Sequence, residues 1–168
     1  MDEEALWRLT RDAQLTVKDG VVRIDEHDVA QAIRTPEIDA AAAAVARQPR
    51  VREVLVAQQR KMGGAGDIVM EGRDIGTVVF PRADVKVYLD ASPEERARRR
   101  AQDPAHSAGR GGAAVQDITT AIKARDHSDR TRATSPLTAA ADAMVIDTTE
   151  LSAEEVIDRI LALAASKR

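Results

Sequence analysis

Acidic and basic side chains surround a glycine in the segment Glu-Gly-Arg-Asp at residues 71–74, which follows the apolar run 68–70. The apolar run predicts a strand over residues 67–71 that is buried on both faces. Ligands of open parallel sheets bind beyond the carboxyl ends of the strands, so charged side chains there are candidates for a binding site. A turn with a surface ion pair fits the spacing equally well. The candidate residues are Glu71, Arg73 and Asp74.

Arginines recur at helical spacing in two later segments, which the glycine-containing stretch 103–113 joins. Residues three or four positions apart share one face of a helix, so each segment presents its charges together. Guanidinium groups bind phosphate through two parallel hydrogen bonds, and the pattern predicts a mobile lid that contacts a phosphate chain. The alternative is a solvated face on which the arginines pair with Glu94, Glu95 and Asp126. The two groups are Arg96, Arg99 and Arg100, and Arg125, Asp129 and Arg132.

The composition limits the possible classes of function. The 168 residues are 43% hydrophobic and 32% charged, which suits one domain with a core of its own. Cysteine is absent, which excludes disulfides and thiolate metal sites, and the three histidines are scattered, so no protein metal site is predicted. A net charge of −3 and an aromatic content of 2% weigh against a nucleic-acid-binding module.

The chain has no features of a membrane or secreted protein. No apolar run approaches the roughly 20 residues that a membrane span needs. The acidic start Met1-Asp2-Glu3-Glu4 lacks the pattern of a signal peptide. We therefore expect a cytoplasmic protein without a membrane partner.

Capping residues and apolar spacing predict helices and strands in an order that suits an α/β fold with a parallel sheet. Thr35 with Pro36, and Ser92 with Pro93, are typical helix starts, and Asp19-Gly20 is a hairpin signal. Ser152 with Glu155 predicts a capping box at the start of the last helix. The predicted helices are 2–14, one from Pro36, one from Pro49, one from Pro93 to 100 or 102, 115–130, a short one that starts at 135–137, and 153–165. The predicted strands are 15–17, 21–24, 67–71, 84–90 and 143–147.

Several segments, taken in order over essentially the whole chain, resemble bacterial cytidylate kinases, which are nucleoside monophosphate kinases of the P-loop class. The stretch Gly-Arg-Asp-Ile-Gly-Thr-Val-Val-Phe-Pro at residues 72–81 is quite specific. The other matching segments are 33–37, 49–53, 91–97, 125–130, 135–137, Asp142 and 146–149. The resemblance implies a parallel-sheet kinase fold in one domain, 1–168. It also implies a lobe at 15–62 that binds the monophosphate, a core at 67–168 and a lid at about 99–115.

The resemblance implies transfer of a phosphoryl group from ATP to CMP or dCMP, with Mg²⁺ and in a monomer that binds no nucleic acid. Asp74 matches the acid that reads the amino group of cytosine, and Arg73 lies at the same end of the pocket. The remaining matches are Arg52 and Asp129 for the phosphate and ribose of CMP, Arg125 and Arg132 for phosphates, Glu71 close to the nucleotides, and Arg99 and Arg100 near ATP. Without the resemblance, Arg52 is equally an exposed arginine that pairs with Glu53 or Glu37.

Two departures from the family pattern affect the expected activity. Alanine stands at residue 43, where the family usually has a serine that helps to hold the base. The 168 residues contain no G-x-x-x-x-G-K-[ST] loop, which in the family follows the central strand and cradles the phosphates of ATP. We therefore expect little or no kinase activity from these residues alone, and a non-catalytic nucleotide-binding fragment is the alternative to an active kinase. In either case the fold is expected to lack its first strands.

Overall fold

The computed structural model describes residues 2–18, 20–64, 66–103, 115–131 and 135–167. Two sequence predictions concern residues outside these ranges. They are the phosphate-binding role of Arg132 and most of the predicted lid loop, residues 104–114.

The first half of the chain forms three helices and a small antiparallel sheet. The hairpin prediction is confirmed, because β1 (Leu15–Lys18) and β2 (Val21–Ile24) pair antiparallel, with Leu15 opposite Ile24 and Lys18 opposite Val21. Gly20 takes a positive φ of +77° at the turn. The predicted cap at Thr35 is also confirmed, since its side chain accepts a hydrogen bond from the backbone N–H of Ile38. The elements are α1 (Glu3–Asp12), β1 (Leu15–Lys18), β2 (Val21–Ile24), β3 (His27–Asp28), α2 (Pro36–Val45) and α3 (Pro49–Gly63).

The second half contains the parallel sheet that the order of elements predicts. Strands β4 (Val87–Asp90) and β5 (Met144–Asp147) pair in parallel, with Val87 opposite Met144 and Asp90 opposite Asp147, and their carboxyl ends lie at one edge. The capping box predicted at Ser152 and Glu155 is confirmed. The elements are one π-helical turn (Ile75–Val79), β4 (Val87–Asp90), α4 (Pro93–Gln102), α5 (Val115–Thr131), β5 (Met144–Asp147) and α6 (Ala153–Ala165).

The buried strand predicted at 67–71 is wrong. These residues form no strand, and Val69 is fully exposed although its side chain is apolar. A buried parallel strand needs hydrogen-bonded neighbours. In the part of the chain that the structure describes, however, the sheets are β1–β2–β3 and β4–β5, and neither contains this segment.

The short helix predicted at 135–137 is also wrong. Ser135 has a φ of +54°, whereas a helix-capping residue takes an extended conformation. The N–H of Leu137 donates to the carbonyl of Asp129 at 2.8 Å. The segment is therefore held back against the end of α5 instead of starting a helix.

The charged segment 71–74 lies between α3, which contacts Asp74, and α5, which contacts Arg73. Arg60 of α3 donates hydrogen bonds to the carbonyls of Val78 and Val79, at 2.7 and 3.0 Å. The ring of Phe80 lies over Gly63, where an added Cβ would come within 2.3 Å of Cζ. The buried apolar residues are Val51, Val79, Ala91, Ala97, Ile118 and Ile146.

Trp7 docks α1 onto α3. Two guanidinium groups lie over its ring, with Arg11 at 4.6 Å and Arg50 at 4.3 Å from the ring centroid. Arg50 also pairs with Glu4 of α1. Among the described residues, no helix has the length and apolar character required to cross a membrane.

Candidate functional site

Arg52 and Asp74 form a buried ion pair between α3 and the start of the π-helical turn. Nη2 of Arg52 donates to Oδ2 of Asp74, and the two side chains are only 11% and 9% exposed. The interpretation of Arg52 as an exposed partner of Glu53 or Glu37 is therefore wrong. The buried Nε of Arg52 has no hydrogen-bond partner among the described residues.

Local sequence brings Asp74 to this position. Val51 is fully buried on α3, so the neighbouring Arg52 lies at the rim of the core. An added Cβ at Gly72 would come within 2.8 Å of Cγ1 of Ile75. Only glycine allows this close approach, which folds residues 72–74 against the π-helical turn.

Arg73 points to the opposite side and contacts two acids of α5. Its Nε donates to Oδ2 of Asp129 at 2.9 Å, and its Nη2 donates to Oδ1 of Asp126. Nη2 of Arg96 donates to the other oxygen of Asp126 at 2.6 Å, and Arg96 is itself fixed by the carbonyl of Ala91 at 3.1 Å. One network therefore joins residue 73, α5 and the start of α4.

The charges of this network stabilise each other despite partial burial. Burial opposes ionisation of Asp126, but hydrogen bonds from Arg96 and Arg73 outweigh it and hold its pKa below the usual value. Burial likewise disfavours the charge of Arg73, and the hydrogen bonds to Asp129 and Asp126 nevertheless raise its pKa. Both groups are thus ionised at neutral pH.

The predicted CMP-binding residues form two ion pairs, which the consecutive residues 73 and 74 link. Arg73 and Asp74 are consecutive and contact Asp129 and Arg52 respectively. Arg125 lies at the edge of the same cluster, with its Nε 3.9 Å from Oδ2 of Asp129. In such an array the arginines can donate hydrogen bonds to an anionic group of a ligand, and the carboxylates can accept hydrogen bonds from its amino or hydroxyl groups.

The arginines predicted near ATP contact other parts of the chain. Nη1 of Arg99 donates to Oγ1 of Thr148 at 3.0 Å, just after β5, and its Nε donates to Glu95 at 2.7 Å. Arg100 pairs with Asp39 of α2. Hydrogen bonds from Arg98 and Arg99 lower the pKa of Glu95 to about 2.

The alternative interpretation of the arginine-rich segments, a helix face on which the arginines pair with nearby acids, describes several of these contacts. Arg98 and Arg99 pair with Glu95, and Arg96 pairs with Asp126, as a helix face lined with ion pairs would. Glu71 is exposed and Ala43 is partly buried. The sequence predicts Asp126 only as a surface partner of the arginines. Its spacing of three from Asp129 places both acids on one helix face, and this is the signal that indicates a shared site.

A cavity of about 500 Å³ opens beside the network at the carboxyl ends of β4 and β5. Arg96 and Asp126 form part of its wall. Among the described residues, no group of three or more histidine or acidic side chains is placed to hold a metal ion. The other lining residues are Asp90, Ala91, Ser92, Pro93, Lys123, His127, Arg130, Asp147 and Thr149.

Comparison with known proteins identifies the family. The family described as cytidylate kinase matches residues 1–166. The cytidylate kinase of Solibacter usitatus is 43% identical over 166 residues, which cover 99% of this chain and 72% of that protein. The enzyme of Desulfitobacterium hafniense is 45% identical over 168 residues, covering 98% of this chain and 72% of that protein. The enzyme of Rhodococcus jostii is 48% identical over 148 residues, or 87% and 63% of the two chains. Because the family pattern extends over nearly its whole length, the chain belongs to the cytidylate kinase family.

Proposed function

We propose that this chain is a (d)CMP kinase that transfers the γ-phosphoryl group of ATP to CMP or dCMP and so gives CDP or dCDP. One observation carries the proposal: Arg52, Asp74, Arg73 and Asp129, from three separate segments, form two ion pairs that are linked by the consecutive residues 73 and 74. Relatives named cytidylate kinases at 43–48% identity support it. They do not favour the alternative of a non-catalytic fragment.

In this proposal the CMP pocket is built from the two ion-paired acids and their arginines. Asp74 accepts a hydrogen bond from the amino group of cytosine, and Arg52 turns to the phosphate of CMP. Asp129 accepts from the ribose. Without ligand, the ion pairs compensate the charges of these side chains. When CMP binds, its groups replace the contacts that the side chains make with each other.

In phosphoryl transfer the protein itself does little covalent chemistry, and it acts mainly by positioning the reactants and stabilising charge. A phosphate oxygen of CMP attacks the γ-phosphorus of ATP, the bond from that phosphorus to the bridging oxygen breaks, and ADP leaves. Arg125 and Arg132 are assigned to the charge that develops on the phosphates. Mg²⁺ enters as part of the MgATP substrate, held mainly by phosphate oxygens, with Glu71 close to it.

The remaining assignments concern the layout of the chain. We assign residues 15–62 to the CMP-binding lobe and 67–168 to the core of a single domain, with Arg99 and Arg100 beside ATP and a lid at about 99–115. Contacts of Arg47 with Ser128 and of Arg100 with Asp39 join the two parts and support one domain. A monomeric state and a cytoplasmic location stay predictions.

Calorimetry on Asp74→Ala tests the base-reading role. The change removes a charge-assisted hydrogen bond worth about 1.5–3 kcal/mol, so CMP binding weakens by roughly tenfold or more while ATP binding changes little. Glu94→Gln is the matched control, because Glu94 is an exposed acid whose partner is the equally exposed Lys123. Equal losses for CMP and ATP would contradict the role of Asp74.

An activity assay tests the reaction. We expect little or no ADP from MgATP and CMP with residues 1–168 alone, because they contain no G-x-x-x-x-G-K-[ST] loop to cradle the γ-phosphate. A chain that carries such a segment ahead of residue 1 should turn over CMP and dCMP. Full turnover by the 168 residues alone would refute our account of the loop, and no turnover by the extended chain would refute the kinase assignment.

A further inference from the structure

Asp126 has no role in the proposed reaction, yet it occupies the centre of the charge network. Its Oδ1 accepts from Nη2 of Arg73 and its Oδ2 accepts from Nη2 of Arg96. Its side chain is only 12% exposed. Because each carboxylate oxygen already holds an arginine, Asp126 is placed to hold side chains and not to contact a ligand itself.

The side chain of Arg73 is 35% exposed, while the two acids that hold it are nearly buried. Asp129 and Asp126 hold its Nε and Nη2, which lie along one edge of the planar guanidinium. Within the described residues, Nη1 makes no hydrogen bond. The two acids therefore fix the plane of the guanidinium, and the described residues leave its Nη1 end available to a ligand.

The two acids differ in what supports them. Asp129 is assigned to the ribose of CMP, so substrate competes for it with Arg73. Asp126 is held from behind by Arg96, whose Nε is fixed by the carbonyl of the buried Ala91 at 3.1 Å. The contact between Asp126 and Arg73 can therefore persist when Asp129 turns to substrate.

We infer that Asp126 is a positioning residue, which with Arg96 as its anchor holds Arg73 in the orientation that meets the base end of bound CMP. The part of this inference that concerns CMP rests on the proposed function. The part that concerns the orientation of Arg73 stands on the geometry of the ligand-free protein alone.

The test compares Asp126→Asn with Asp126→Glu, and uses Asp117→Asn as the matched control on the same helix, since Asp117 is exposed. Calorimetry with CMP and with ATP gives the affinities, and the Nε–Hε signal of Arg73 in NMR spectra without ligand reports its orientation. For Asp126→Asn we expect a shifted signal and a loss of about tenfold in CMP affinity, with ATP affinity changed by less than about twofold. Asp126→Glu, which keeps the charge, should bind CMP more tightly than Asp126→Asn does.

Three results would overturn the inference: an unshifted Arg73 signal in Asp126→Asn, an unchanged CMP affinity, or equal losses for CMP and ATP. If Asp126→Asn does not fold, Arg96→Gln removes the anchor and leaves the acid in place. The Arg73 signal must then shift in that variant, and an unshifted signal refutes the inference. Failure of the unsubstituted chain to bind CMP would count against the proposed function, while the NMR comparison would still decide whether Asp126 orients Arg73.

Discussion

Two regions of this molecule use the same residue types in opposite ways. On α4, Glu95 pairs with Arg98 and Arg99 of its own helix, and Arg98 remains 54% exposed. In the candidate site, Arg52 pairs with Asp74 across a separation of 22 residues, and both side chains are about nine-tenths buried.

The difference lies in what each pair requires of the fold. A pair at three or four residues forms whenever its helix forms, and it gains little where one partner stays exposed, as Arg98 does, because water screens that charge. A pair between distant segments forms only when tertiary packing brings both partners out of water. Removing one partner of such a pair leaves an uncompensated buried charge, which is expensive.

The largest expected effect comes from breaking the buried pair. Asp74→Asn leaves the guanidinium of Arg52 buried without a counter-charge, and we expect the free energy of unfolding to fall by about 3–5 kcal/mol. Urea denaturation followed by circular dichroism and by the fluorescence of Trp7, the single tryptophan, measures it. Glu94→Gln serves as control, and losses of similar size in the two variants would erase the distinction between the regions.

The contact between Gly63 and the ring of Phe80 is uncharged and joins segments that are distant in sequence. It shows whether tertiary packing without charge contributes as much to stability as the buried ion pair. In Gly63→Ala the new methyl group would lie 2.3 Å from Cζ of Phe80, so the ring must move, and we expect a loss of about 1–3 kcal/mol. Gly64→Ala is the matched control, because the nearest atoms to its Cβ are carbonyl oxygens at 3.6 Å. A Gly63→Ala variant as stable as Gly64→Ala would show that the ring does not pack on the helix.

The smallest effect is expected on α4, and it depends on pH. The folded-state pKa of Glu95 is about 2, below the ordinary 4.5, so its stabilising contribution is complete above pH 4.5 and disappears as the pH falls toward 2. Glu95→Gln should therefore be slightly less stable than the unsubstituted chain at pH 6, and the difference should shrink at pH 3. Urea midpoints of both chains at the two pH values measure it. A difference that stays constant or grows at pH 3 would contradict the local pairing.

The sequence predicted much of the local structure and less of the site. The caps at Thr35 and Ser152 and the hairpin at Gly20 were predicted because each depends on residues within a few positions. The strand at 67–71 was not, because a strand requires a neighbour that the apolar run does not specify. The partner of Arg52 was missed for a related reason, since the prediction considered acids close in sequence and in the same lobe.

The sequence by itself determined where the helices at Pro36, Pro49 and Pro93 begin. It also determined which residue types could bind a phosphorylated nucleotide, and the family, whose pattern extends over residues 1–166. Only the tertiary structure decided that Asp74 pairs with Arg52 and that Asp126 links Arg73 to Arg96. The physical reason is the range of the interactions. Capping and helical pairing act within one turn of the backbone, whereas a buried ion pair depends on how α3, α4 and α5 pack around the segment between them.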